Sequence, residues 1–122
     1  MKLEHIALSV LTENTASGYF TAEHGLSYFI EFENKNILFD TGHTDVFLRN
    51  AKKITCLKKI KAVIGGFYLM KNNDQTKKTI EYFKEQSILQ VFPSHCTKFP
   101  ALVAFYNEFK IQQVTTGMIF NF

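Results

Sequence analysis

Apolar positions along the chain change period several times, and each change predicts an element. Residues 5–11, H-I-A-L-S-V-L, alternate as a half-buried strand. The next fourteen residues, through A-E-H-G, are polar and hold two glycines, a loop of the length that often carries function. L-S-Y-F-I-E-F (26–32) and N-I-L-F-D (36–40) predict a hairpin joined by E-N-K-N, in which Asn34 and Asn36 tolerate turn geometry. Helical spacing then takes over at 44–53, with Val46, Phe47 and Asn50 or Ala51 inward and Thr44 as N-cap.

K-A-V-I-G (61–65) predicts a buried strand, broken by the pair Gly65-Gly66. A helix follows at 74–86, with Ile80 and Phe83 inward and an Asn73 or Asp74 cap, and then a strand from Ile88 to Phe92. A last helix from Thr97 to about Lys110 places Phe99, Leu102, Phe105 or Tyr106, and Phe109 on one face. Residues 111–115 and 118–122 predict a closing hairpin around Thr116-Gly117. The order β-β-β-α-β-α-β-α-β-β implies one α/β domain over residues 1–122, built on a mixed sheet of α+β character.

Composition adds one unusual feature. Thirteen Phe and five Tyr, with no Trp, are a heavy aromatic load for 122 residues, and part of it is expected at a surface that another chain covers. The net charge of +3 is mild. Lys52, Lys53, Lys58, Lys59 and Lys61 read as a solvated helix-and-loop face rather than a phosphate stripe, so no nucleic-acid partner is expected. Cys56 and Cys96 predict no disulfide framework and suit a reducing, cytoplasmic setting. No leader pattern precedes Leu3 and no apolar run reaches membrane-spanning length, so no membrane partner is expected.

Three turns combine a strand end with polar side chains. In D-T-G-H-T-D (40–45), Asp40 either faces a metal site or satisfies backbone N–H groups while Gly42 permits the bend. In P-S-H-C-T (93–97), His95 is a candidate ligand and Cys96 a candidate nucleophile. Adjacent residues of an extended chain point to opposite sides, so His95 is not expected to serve Cys96 as a base. In A-E-H-G (22–25), Glu23 and His24 fit a hydrogen-bonded loop as well as a site, while His5 reads as structural or exposed. Dinucleotide, P-loop, nucleophile-elbow and C-x-x-C motifs are all lacking.

Taken in order, E-N-T, A-E-H-G-L-S, I-L-F-D-T-G, a helix carrying N-A, G-G-F-Y-L and P-S-H-C-T resemble one family. It is the dihydropterin–ribofuranosylaminobenzene phosphate synthase-like branch of the metallo-β-lactamase fold. The resemblance implies an αββα fold, two sheets between helices, and a metal-dependent hydrolase or transferase. It also implies that Asp40 and His95 correspond to residues of the metal centre, and His24 to a position near it. The family's H-x-H-x-D-H signature has no counterpart here, and the four histidines stand at 5, 24, 43 and 95. The family's G-G-F-H-L reads G-G-F-Y-L, so Tyr68 stands where the family has a metal-site histidine. A neutral phenol is a poor zinc ligand near neutral pH.

The expectation is therefore a truncated αββα fold lacking its central portion. Its remnant site comprises Asp40, Tyr68, His95 and His24, on a backbone turned at Gly42, Gly65 and Gly66. No cofactor is expected, and the implied function is binding and assembly: a homo-oligomer with a pocket for a small anionic ligand. The alternative is a reduced enzyme that holds zinc, manganese or iron through Asp40, His43 and His95, with ligands shared across a dimer. On that alternative His24, Asp45 or Cys96 are further donors to recruit.

Overall fold

The computed structural model describes residues 5–54, 60–88 and 90–122. Cys56, Lys58 and Lys59 lie outside the described residues. Five strands form one sheet in sequence order: β1 (Ile6–Thr12), β2 (Ser27–Phe32), β3 (Lys35–Phe39), β4 (Ala62–Gly65) and β5 (Gln90–Pro93). The first three make an antiparallel meander, and β3, β4 and β5 run parallel. Helices α1 (Val46–Ile54) and α2 (Asp74–Glu85) supply the two crossovers, and α3 (Phe99–Glu108) follows β5. The mixed α/β class expected from the sequence is thus what forms.

The β2–β3 turn is tighter than the sequence suggests. Phe32 pairs with Lys35, which leaves Glu33 and Asn34 as a two-residue loop, both with positive φ (45° and 64°). That is the type I′ geometry whose twist matches the flanking strands. Asn36, expected in the turn, already belongs to β3. The α1 face is as expected, with Val46, Phe47, Asn50 and Ala51 buried. The Thr44 hydroxyl accepts from the Val46 N–H at 3.4 Å. In α2 the Asn73 side chain accepts from the Thr76 N–H at 3.2 Å, while Ile80 and Phe83 turn inward.

One expectation holds in part and another fails. Along α3 Phe105 is buried with Ala101 and Ala104, and Leu102 and Phe109 are half-buried, but Phe99 is exposed. Ala101 and Ala104 are buried in the core beside Phe105, whose ring joins a cluster with Phe67, Phe83 and Phe109. The closing hairpin does not form. Ile111 makes a single parallel bridge to Val91, the Val114 N–H donates to the Pro93 carbonyl, and the tail then packs Phe120 against Phe92 at 4.7 Å. An aromatic anchor on β5 gives the tail more contact than a two-stranded ribbon of its own would.

Strand parity divides the sheet into two unequal faces. Leu11, Phe29, Leu38, Val63 and Val91 point to one face and join Phe47, Ile80, Phe83 and Phe105 in a core beneath the three helices of the described residues. The other face carries no helix among the described residues. There the cross-strand rows Ile6–Phe32, Leu8–Ile30–Ile37 and Val10–Tyr28–Phe39 are apolar almost throughout. Ile6, Leu8 and Val10 are 61%, 53% and 49% exposed. The C-terminal tail covers only the β5 side of this face, where Phe92, Phe120 and Phe122 pack together and the Lys35 ammonium donates to the Phe122 carbonyl. No helix among the described residues is long and apolar enough to cross a membrane.

The α3 packing sets a direct comparison. Phe105→Ala should cost about 3–5 kcal/mol in urea unfolding, and Tyr106→Ala no more than about 0.5 kcal/mol. Equal losses would mean that the helix presents a different face.

Candidate functional site

The parallel strands β3, β4 and β5 all end at the same edge of the sheet, the usual place for a ligand in open α/β folds. Each end contributes a piece. From β3 comes Asp40, held with φ of 63°; its N–H donates to the Ile64 carbonyl at 2.7 Å and its carbonyl accepts from the Ser27 hydroxyl at 2.7 Å. From β4 come Gly65 and Gly66, and from β5 the turn Ser94–Thr97.

The glycine pair is explained by what lies beside it. A Cβ on Gly65 would stand 2.9 Å from the Asp40 backbone nitrogen, and Gly65 has φ of 126°. A Cβ on Gly66 would fall 2.2 Å from the His95 carbonyl oxygen and 2.7 Å from its ring. Only glycine lets β4 pass between Asp40 and His95 at this distance. Gly42 (φ 74°) is likewise packed, against the Glu23 carboxylate and the Thr12 methyl.

Between these ends, the Asp40 carboxylate meets the His95 ring, with Oδ2 3.3 Å from Nε2. The Asp40 side chain is 11% exposed and that of His95 64%, so a buried acid is closed by a more open imidazole. Burial pushes the Asp40 carboxyl above its ordinary range, while the His95 charge and N–H groups of Thr41 and Gly66 act the other way without overcoming it. On its far side His95 places Nδ1 3.3 Å from the Cys96 thiol. This corrects the expectation that adjacent His95 and Cys96 diverge: Cys96 has φ of 60°, and the left-handed residue folds its side chain back beside the ring. Tyr68 is also left-handed (φ 53°), and its ring lies 3.9 Å, centroid to centroid, from that of His43.

These groups line one cavity of about 320 Å³, together with Glu13, Asn14, His24, Gly42 and Gly66. Asp40, Tyr68, His95, His24 and His43 are therefore brought together, and the sequence order of the motifs is the signal that finds them. Glu13 and Asn14 belong to the lining as well, within the E-N-T stretch. Glu23 plays a structural part: its carboxylate accepts from the N–H groups of His43 and Thr44 at 2.8 and 2.9 Å and from the Thr44 hydroxyl. Asn50 and Lys53 of α1 hold the polar loop in place by bonding the Leu11, Thr21 and Tyr19 carbonyls. A second cavity of about 480 Å³ lies between α1 and α2, walled by Phe47, Leu48, Phe67 and Tyr82, and shares Gly42 and His43 with the first.

The donor set does not fit a metal centre. Among the described residues no three His, Cys, Asp or Glu side chains are grouped to hold an ion. Asp40 and His95 engage each other, and the His43 ring lies tilted against the Tyr68 phenol, so Asp40, His43 and His95 do not form a ligand triad within one chain.

No protein-family model matches the chain. Over 78 residues, 62% of its length, it is 33% identical to the 7,8-dihydropterin-6-methyl-4-(beta-D-ribofuranosyl)-aminobenzene-5'-phosphate synthase of Methanocaldococcus jannaschii. Over 42 residues, 34% of its length, it is 48% identical to an uncharacterized protein of the same archaeon. The chain spans 26% and 16% of the lengths of these curated relatives. A solved structure of a metal-dependent hydrolase of the beta-lactamase superfamily aligns with a TM-score of 0.44 and 17% identity, over 93% of this chain and 98% of that one. The sequence similarity to the synthase supports, over the matched residues, the resemblance drawn from the ordered motifs.

Two outcomes follow from this geometry. Gly66→Ala should displace His95 and cost about 1–3 kcal/mol in chemical denaturation. Histidine-ring NMR spectra of that variant should no longer show the His95 ring hydrogen-bonded to Asp40. For Asp40, the raised carboxyl means that the folded chain holds the proton more tightly than the unfolded one. The stability this supplies is present below the ordinary value of 3.8 and lost as pH rises through the raised value. Urea titrations across that range should therefore show Asp40→Asn gaining on the wild type as pH increases.

Proposed function

We propose that this chain is a truncated relative of the metallo-β-lactamase fold that binds a small anionic ligand without a metal and assembles through its open sheet face. The observation that carries this reading is the Asp40–His95 contact, with the Tyr68 ring against that of His43 in the same cavity. Groups that would be metal ligands in a family site are satisfied by one another here. The imidazoles of His24 and His43 and the Tyr68 phenol line the cavity and would serve an anion as hydrogen-bond donors. The synthase relative is named for a phosphate ester, so a phosphate-bearing molecule is the ligand class we favour. Assembly is supported by the uncovered rows of Ile6, Leu8, Val10 and Phe39, an apolar surface that a second copy would bury face to face, as stacked sheets do.

Three measurements on untagged protein test the reading. Elemental analysis should find no stoichiometric zinc, manganese or iron. Inorganic phosphate should move the amide NMR signals of Gly66, Tyr68 and His95. Light scattering should give a dimer that Leu8→Lys converts to monomer. Stoichiometric metal that disappears in His95→Ala would instead establish the reduced metal-dependent hydrolase or transferase, with ligands drawn from two chains. A monomer at micromolar concentration would remove the assembly claim.

A further inference from the structure

We propose that Cys96 is a nucleophilic thiol served by His95 as base and Asp40 as the group that orients the base, and that the site accepts an acyl group from a carboxylic ester or thioester. The three side chains form one line: Cys96 Sγ stands 3.3 Å from His95 Nδ1, and His95 Nε2 stands 3.3 Å from Asp40 Oδ2. A single neutral tautomer satisfies both contacts. With the proton on Nε2, the ring donates to the Asp40 carboxylate and turns the Nδ1 lone pair toward the thiol. Nucleophile, base and orienting acid in that sequence define the arrangement that activates a cysteine, whatever the fold around it.

Position supports the assignment independently of the contacts. Cys96 is exposed and lines the 320 Å³ cavity, so an incoming carbonyl carbon can reach the sulfur. Asp40 is buried and pinned through backbone hydrogen bonds on both its N–H and its carbonyl, which fixes the ring it holds. The Cys96 turn is fixed as well: its carbonyl accepts from the Leu69 N–H at 2.8 Å, and the Lys98 N–H donates to the Leu69 carbonyl at 2.8 Å. The adjoining cavity, walled by Phe47, Leu48, Phe67 and Tyr82, offers an apolar recess for an aromatic or aliphatic part of the acyl donor.

In the step, the thiol proton passes to His95 Nδ1 as sulfur attacks the carbonyl carbon. The sulfur–carbon bond forms, the carbon–leaving-group bond breaks, and the departing alcohol or thiol takes its proton from His95. The products are an acyl-Cys96 thioester and the free alcohol or thiol, with no change of oxidation state. The inference goes beyond ligand binding and needs no metal.

The test uses 4-nitrophenyl acetate as probe, with the full chain in EDTA, so that the result is independent of metal content. Peptide mass spectrometry reads acetylation at Cys96 and Cys56 in the same sample, beside free N-acetylcysteine. Cys96 should acetylate at least tenfold faster than either reference, with one nitrophenolate released per chain. His95→Ala should slow Cys96 about 100-fold, and free imidazole should restore much of the rate by entering the vacated space. Unfolding the wild type in urea should bring Cys96 down to the rate of Cys56, a comparison that does not depend on any variant folding. The proposal is overturned if Cys96 reacts no faster than the references, or if it reacts fast but does not respond to His95→Ala.

Discussion

The close passage of β4 between Asp40 and His95 is the constraint on which the rest of the molecule depends. With side chains at residues 65 and 66, the strand end would collide with the Asp40 backbone on one side and the His95 carbonyl on the other. Because both are glycine, three parallel strand ends converge within hydrogen-bonding distance, and the left-handed turns at Asp40, Tyr68 and Cys96 become enforceable. Each such residue costs of order 1 kcal/mol or more, and three around one cavity mark a place where geometry is held against local preference. The buried acid, the imidazole and the thiol are aligned by that geometry.

A second consequence concerns the sheet. Among the described residues three helices gather the core rings Phe29, Phe47, Phe67, Phe83 and Phe105 onto one face, and no helix covers the other. The C-terminal tail covers the β5 side and stops short of β1 and β2, where the aliphatic rows stand open. Among the described residues the sheet thus has one face packed beneath helices and one whose apolar rows stand open over β1 and β2.

Much of this is legible in the sequence, and the failures are instructive. Strand and helix placement follows from periodicity, because each element buries one face against the same core. The convergence of Asp40, Tyr68, His95 and His24 follows from motif order, since three motifs follow the parallel strands and A-E-H-G leads into antiparallel β2 at the same edge. The α3 face departs from expectation at Phe99, expected inside and exposed, while Phe105 is inside as expected and Ala101 and Ala104 complete the buried face. The closing hairpin is lost because Phe92 offers the tail a better partner than the tail offers itself. The His95–Cys96 contact is hidden for a different reason. Its expectation assumes extended backbone, and nothing in P-S-H-C-T announces that Cys96 is left-handed.

The central claim is that Asp40 and His95 are committed to each other rather than to a metal. Nitrogen-15 NMR of the histidine rings, recorded while zinc is added stepwise to the metal-free protein, tests it most directly. On this account the nitrogen shifts of the His95 ring stay in place at one equivalent of zinc. A stoichiometric displacement of the His95 nitrogen signals by zinc would contradict it.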